Sequence, residues 1–89
     1  MIEIKGTNWE EVIPNYWECV YQGWYLTVVR LLPDLVVGSG LDTPRRQALN
    51  GSFSLCISSQ TTNDYVLRVM AERLIHHVDN RYPVRQVFP

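Results

Sequence analysis

Two adjacent histidines, His76 and His77, are the side chains of this sequence that most readily suggest metal binding or acid–base chemistry. They fall in a segment with a helical pattern, so their rings point about 100° apart around the helix axis. Histidines that hold one ion from a helix are spaced at i and i+4, and zinc sites need closely grouped ligands. We therefore predict surface or structural roles for both histidines and no metal site.

The two cysteines are the next candidates, as nucleophiles. Cys19 lies in an aromatic stretch where we expect it to face the core, and burial raises the pKa of a thiol and lowers its reactivity. Cys56 lies on the polar side of an alternating segment, but the sequence offers no identifiable base for it. Isolated cysteines without a CxxC pair are typical of a reducing compartment. We predict two free thiols, no catalytic residue, no cofactor and a non-enzymatic protein.

A glycine-rich segment, GSG at residues 38–40, precedes TPRR at 43–46 and has the composition of an anion-binding loop. It lacks the Lys-Ser/Thr ending of a P-loop and the third glycine of a dinucleotide-binding loop. We interpret it as a flexible turn, with a brief helical turn up to Leu49 and two exposed arginines, Arg45 and Arg46.

Size and composition describe one small folded domain, residues 1–89. Hydrophobic residues make up 46% of the chain, charged residues 19%, and the net charge is −1, which together argue against disorder. No apolar run approaches the roughly 18 residues that span a bilayer. The acidic segment MIEIKGTNWEE does not have the form of a secretory signal. We expect a cytoplasmic protein with no membrane partner.

The stretch YWECVYQGWYLTVV, residues 16–29, predicts a β-hairpin within residues 16–32. Gln22-Gly23 supplies a two-residue turn, which sets Tyr21 opposite Trp24. Cross-strand partners share a face, so the inner face consists of Trp17, Cys19, Tyr21, Trp24, Leu26 and Val28. The outer face consists of Tyr16, Glu18, Val20, Tyr25, Thr27 and Val29. A slip of one residue would exchange the two faces and bury Glu18, which favours this register.

The N-terminal segment is ambiguous between two structures. Ile2–Lys5 alternates apolar and charged residues, as an edge strand does. Thr7 with Glu10 resembles a capping box, which favours a helical turn over Asn8–Val12. A strand is the alternative for that piece.

After the hairpin, turn residues and alternation predict two more strands. Pro33-Asp34 marks a turn, and Leu35–Val37 is a short strand. Asn50-Gly51 marks another turn before Ser52–Ser58, which alternates without error. The apolar side of that last strand consists of Phe53, Leu55 and Ile57.

One long helix is predicted over about residues 62–79, with Thr61 and Asp64 as a capping pair. Its apolar stripe consists of Val66, Leu67, Met70, Ala71, Leu74, Ile75 and Val78. Its far side carries Asp64, Arg68, Glu72 and His76 at i,i+4 spacing, and a short extended tail follows at 81–89. Together with the strands, this predicts an α+β fold, an antiparallel sheet of four to five strands packed by one C-terminal helix.

The outer face of the hairpin predicts a surface for binding a larger protein or protein complex, because interfaces are enriched in aromatic residues and arginine. The predicted partner-binding residues are Tyr16, Glu18, Tyr25, Thr27, Arg45, Arg46, Arg81 and Arg85. A homodimer through the edge of the hairpin is compatible with this use. We hypothesise an adaptor or stoichiometric inhibitor. Size and style alone, with no motif, suggest a phage or mobile-element accessory protein that antagonises a host defence, as anti-CRISPR proteins do.

A single-stranded nucleic-acid or RNA-binding domain is the alternative, since sheet tyrosines stack on unpaired bases and arginines hold phosphates. The net charge of −1 and a pI near 6.0 weigh against it, because such domains are commonly basic. Nucleic acid is therefore the less favoured partner. A further alternative is that the C-terminal tail covers Tyr16 and Tyr25.

Overall fold

A computed structural model of the chain describes residues 2–42 and 52–81. The strands in these ranges are β1 Ile2–Ile4, β2 Thr7–Ile13, β3 Tyr16–Tyr21, β4 Trp24–Leu32, β5 Leu35–Asp42 and β6 Ser52–Ser58, and the helix α1 is Asn63–Arg81. The six described strands form an antiparallel sheet in chain order, with α1 packed on one face. The predicted α+β class is confirmed, and the sheet has more strands than the four to five predicted.

The register of the β3–β4 hairpin is the predicted one. Gln22 and Gly23 both have positive φ, 50° and 85°, as a type I′ turn requires. Tyr21 therefore pairs with Trp24, and the inner side chains that follow are buried against the helix. Those with 7% exposure or less are Trp17, Cys19, Trp24, Leu26 and Val28.

The segment after β1 is a strand, so the predicted helical turn over Asn8–Val12 is wrong and the strand alternative is correct. Thr7 does not cap a helix. Its hydroxyl donates to the carbonyl of Ile4 and accepts a hydrogen bond from Trp9 Nε1 at 2.8 Å. Trp9 of β2 pairs with Ile2 of β1 and is fully buried. Burial of this indole outweighs the weak local helix signal.

The glycines at 38 and 40 lie inside β5 and do not form a flexible turn. Both face the helix side of the sheet, where a Cβ would collide with a neighbour. A Cβ on Gly38 would lie 2.7 Å from Met70 Cγ, and one on Gly40 would lie 2.4 Å from the ring of Phe53. These glycines therefore allow close packing and extend β5 well beyond the predicted Leu35–Val37.

Helix α1 carries the predicted apolar stripe, and every member of it is buried with at most 6% exposure. The predicted far side is exposed. The cap lies one residue later than predicted, since Thr62 Oγ1 accepts a hydrogen bond from the Tyr65 N–H at 3.4 Å. Val66 N–H donates to the Thr62 carbonyl at 3.0 Å, which completes the first turn.

Arg30 ties the end of β4 to the start of α1. Its guanidinium donates to Asn63 Oδ1 at 2.7 Å and to the carbonyls of Ser59 and Thr61 at 3.0 and 2.7 Å. Asn63 in turn donates to Asn15 Oδ1 at 3.0 Å. These bonds fix where the helix starts relative to the sheet, so Arg30 has a structural role.

Tyr21 holds the other end of α1, because its hydroxyl donates to Asp79 Oδ1 at 2.7 Å. Burial, with a smaller contribution from Asp79, raises the pKa of Tyr21 to about 12. The folded pKa lies above the ordinary value of 10.0, so this contact stabilises the fold at neutral pH and is lost as the pH rises from about 10 to about 12.

Several expectations concern residues outside the described ranges. They are the helical turn up to Leu49, the Asn50-Gly51 turn, the extended tail, and the positions of Arg45, Arg46 and Arg85. Arg81 ends α1, but its side chain is not described. In the described ranges, no helix has the length and apolar character needed to cross a membrane.

Gly38→Val should lower the free energy of unfolding by about 1–3 kcal/mol, because the added side chain overpacks the contact between β5 and Met70. Chemical denaturation measures this change. Asn8→Val places the same residue at an exposed strand position and should change stability by no more than about 0.5 kcal/mol. Equal effects at both sites would contradict the close packing at Gly38.

Candidate functional site

The two histidines lie in different environments. The His77 ring packs on Phe53, with ring centroids 4.0 Å apart. His76 is exposed, and its carbonyl accepts a hydrogen bond from Asn80 Nδ2 at 2.8 Å. Throughout residues 2–42 and 52–81, no three His, Cys, Asp or Glu side chains come together as a metal site would require. The described histidines therefore do not converge on a reaction centre.

The cysteines are both free, and the structure places them on opposite faces of the sheet. Cys19 is buried under the helix, and this burial raises the pKa of its thiol to about 12. Cys56 is exposed on β6. The folded Cys19 is therefore a poor nucleophile at neutral pH, whereas the Cys56 thiol is open to reagents.

The feature with the character of a binding site is the outer face, the set of side chains of β2–β6 that point away from α1. Its central row crosses five strands and is polar, with Glu10, Glu18, Thr27, Ser39 and Ser54 paired in register. The row on one side consists of Ile13, Tyr16, Val29, Val37 and Cys56. The row on the other side includes Val20, Tyr25 and Leu41. Apolar rows therefore flank a polar one on an open sheet.

Large apolar side chains are well exposed on the outer face. Val20 is 66% exposed, Ile13 57% and Leu41 54%, and both tyrosines are half-buried by their neighbours. Five strands about 4.8 Å apart and about seven residues long give roughly 550 Å². One partner contributes about 800 Å² to a standard protein interface. The outer face is thus large enough to form most of one.

Glu18 is the unusual residue of the central row. One carboxylate oxygen, Oε1, is buried and has no hydrogen-bond partner among the described residues. Glu18 pairs directly with Glu10 on one side, so two carboxylates lie opposite each other. On the other side is Thr27, whose hydroxyl bonds to Ser39 at 2.6 Å. An unpaired acceptor beside a like charge destabilises the isolated chain.

The charge of the described outer face is acidic. Its ionisable groups include Glu10 and Glu18, and no lysine or arginine belongs to its described rows. Arg30 is hydrogen-bonded to the first residue of α1. Arg68 and Arg73 are exposed on α1, on the opposite side of the sheet from the outer face. This face therefore suits a partner that presents hydrogen-bond donors or positive charge.

The structure brings four of the predicted partner-binding residues onto the outer face, namely Tyr16, Glu18, Tyr25 and Thr27. Their role in binding stays a prediction, and the side chains of the four predicted arginines lie outside the described residues. The expected homodimer through the hairpin edge is wrong, because β3 pairs with β2 and β4 pairs with β5. Both sides of the hairpin are already hydrogen-bonded inside the sheet.

Sequence reasoning missed the outer-face residues outside the hairpin, including Glu10, Ile13, Ser39 and Leu41. The sequence favours a helical turn over Asn8–Val12, with a strand as the alternative, and a flexible turn at residues 38–40, so it does not place these residues on the sheet. A period-2 signal was present in β5, where the glycines at 38 and 40 alternate with the outward residues Val37, Ser39 and Leu41.

A groove between the β1–β2 turn and α1 is the other candidate site in the described structure. This open groove of about 510 Å³ is lined by Lys5, Arg73, Glu72, His76 and Asp79, among others. Charges of both signs are interspersed along it, and Asp79 already accepts the hydroxyl of Tyr21. It therefore favours no single ligand charge, and the outer face is the stronger candidate.

Glu18→Gln should raise the free energy of unfolding by about 0.5–1 kcal/mol, because it removes a charge opposite Glu10 and keeps the side-chain shape. Equilibrium denaturation in urea measures it. Glu3→Gln is the matched control, since Glu3 is exposed and faces Asn8, and it should be close to neutral. A loss of stability in Glu18→Gln would show that the carboxylate is satisfied in the isolated chain.

Ellman's reagent should titrate one thiol in the native protein and a second only after denaturation. The fast thiol is Cys56 and the protected one is Cys19. Cys56→Ser should abolish the fast reaction, and Cys19→Ser should leave it unchanged. Because the folded pKa of Cys19 is raised from 9.0 to about 12, its burial should begin to cost stability only as the pH rises above about 9. Two fast thiols in the folded chain would contradict the register of β3.

Comparison of the chain with protein-family models, with curated proteins and with solved structures found no match in any of the three. The chemistry and geometry of the outer face are therefore the basis on which a function is inferred.

Proposed function

We propose that this chain is a non-enzymatic protein-binding module that docks a larger protein on its outer face, as an adaptor or stoichiometric inhibitor. The observation that carries the proposal is the combination on one open sheet face of exposed apolar side chains and the unpaired Glu18 carboxylate. A face that served only to contact water would not need exposed valine, isoleucine and leucine beside a half-buried acid.

The tyrosines supply the anchors in this proposal. Tyr16 and Tyr25 lie on adjacent strands, one in each apolar row, with the Glu18–Thr27 pair between them. Tyrosine is among the residues that contribute most to binding energy, because its ring is large and rigid and its hydroxyl can hydrogen-bond. A partner that covers both rings would also cover the Glu18–Thr27 pair between them.

The acid row specifies the chemistry of the partner. Glu10 and Glu18 repel each other in the isolated chain, and a donor placed between them would relieve that repulsion. An arginine is the best fit, since its planar guanidinium can bind both carboxylates. The partner surface would therefore present an arginine or lysine surrounded by apolar residues.

The same acid row makes nucleic acid the weaker alternative. Phosphates would meet carboxylates at the centre of the face, and the described outer face has no cation to offset them. The proposal places the protein in the cytoplasm, where the exposed Cys56 thiol would stay reduced. Antagonism of a host defence by a phage or mobile-element protein is one use that fits a module of this size.

Affinity capture from the source cells with the immobilised chain, followed by mass spectrometry, should identify one specific partner. Titration calorimetry with that partner should then give a one-to-one complex that Tyr16→Ala and Tyr25→Ala each weaken by about tenfold or more. Glu18→Gln should weaken binding although it stabilises the isolated chain, because it removes charge that the partner satisfies.

Tyr65→Ala provides the matched control, because Tyr65 is a tyrosine 55% exposed on the opposite, helical side. It should bind as tightly as the unmodified chain. Loss of binding in Tyr65→Ala, with no effect at Tyr16 or Tyr25, would place the interface elsewhere. Salt-sensitive binding of a single-stranded oligonucleotide that requires Tyr25 would overturn the proposal in favour of the nucleic-acid alternative.

A further inference from the structure

The two ends of the described sheet differ in how their edges are protected. The β1 edge is only three residues long and carries Glu3, with Lys5 in the adjoining turn. The β6 edge is seven residues long, SFSLCIS, and has no charge, no proline and no break in register with β5. Short length and charge are the devices that prevent strand addition, and β6 has neither.

We propose that β6 pairs with β6 of a second copy of this chain, antiparallel about a two-fold axis through Leu55, to give one continuous sheet. This inference is independent of the proposed function. No strand within residues 2–42 and 52–81 pairs with the outer edge of β6, and the proposed ladder would use the backbone N–H and C=O groups of that edge. A two-fold dimer requires that the strand be complementary to itself.

The side-chain pattern of β6 meets that requirement. Around Leu55 the strand is symmetric in size, with Ser54 and Cys56 next to it and Phe53 and Ile57 beyond them. In the antiparallel dimer Phe53 lies opposite the partner subunit's Ile57, and Ser54 lies opposite the partner subunit's Cys56. Large apolar residues then meet on the helix side and small ones meet on the outer side.

The helix leaves the apolar side of β6 incompletely covered, which supplies a driving force. Phe53, Leu55 and Ile57 are only half-buried, whereas the inward side chains of β4 are fully buried. The His77 ring of α1 covers part of the apolar side of β6 through its contact with Phe53. A second copy would bury the rest from the side, and the outer faces of the two copies would become continuous.

Sedimentation equilibrium of the full chain over a wide concentration range should give a species of twice the chain mass. The double substitution Ser54→Lys/Cys56→Lys places lysine directly opposite lysine twice at the interface. It should weaken dimerisation by about tenfold or more. Asn8→Lys/Tyr65→Lys adds the same charge at exposed positions away from β6, and it should dimerise like the unmodified chain.

Disulfide trapping tests the register directly. Opposed residues in an antiparallel pair have Cα atoms about 4.5–5.5 Å apart, within the range that a disulfide spans. Ser54→Cys should therefore cross-link to the partner subunit's Cys56 when diamide is added, and give a dimer on a non-reducing gel. Ser58→Cys adds a thiol on the same strand and face, but opposite Ser52 of the partner subunit, and should cross-link far more slowly.

A monomer at all concentrations, with Ser54→Cys no faster than Ser58→Cys, would overturn the proposal. Faster cross-linking of Ser58→Cys than of Ser54→Cys would also overturn it, because the two-fold axis would not pass through Leu55. A dimer that survives the Ser54→Lys/Cys56→Lys change would place the interface on another surface. Circular dichroism of each variant confirms that the fold is retained.

Discussion

One helix can cover only one face of a sheet, and the described structure follows from this limit. A helix of 19 residues is about 28 Å long and about 10 Å wide, whereas six strands extend about 29 Å across. Helix α1 is fixed over the inner face by Arg30 at one end and Tyr21 at the other. Among the described residues, α1 does not cover the outer face, and it leaves the apolar side of β6 only half-buried.

How closely the helix approaches is decided by β5. The glycines at 38 and 40 remove two side chains from the middle of the inner face, and Met70 and Phe53 occupy the space. Phe53 then contacts both Trp24, with ring centroids 5.5 Å apart, and His77. The two glycines, which suggest a flexible turn in the sequence, therefore allow close packing between β5, Met70 and Phe53.

The outer face shows a different balance between stability and use. Glu18 has a buried oxygen with no hydrogen-bond partner among the described residues and lies opposite Glu10, and we expect a neutral residue to suit the isolated fold better. The exposed apolar residues on both sides of Glu18 behave alike, because their contact with water is unfavourable and their burial in a complex would be favourable. Both observations favour a surface that is completed by another molecule.

Several parts of this protein were determined by local sequence alone. Gln22-Gly23 and the alternation around it set the β3–β4 register and so brought Tyr16, Glu18, Tyr25 and Thr27 together, and the 3.6-residue period set the buried stripe of α1. Such signals are carried by neighbours in the chain, so a single sequence displays them.

Tertiary structure decided the rest. Residues 7–13 form strand β2, despite a local capping pattern, because they pair with β1 and bury Trp9. Strand β5 continues past Gly38 and Gly40 because it pairs with β4 on one side and with β6 on the other. Because β2 and β5 are strands, the β3–β4 hairpin lies in the centre of the sheet and both of its edges are hydrogen-bonded. The same two strands contribute Glu10 and Leu41 to the outer face. Strand pairing joins residues far apart in the chain, and no local pattern records which strand will lie beside which.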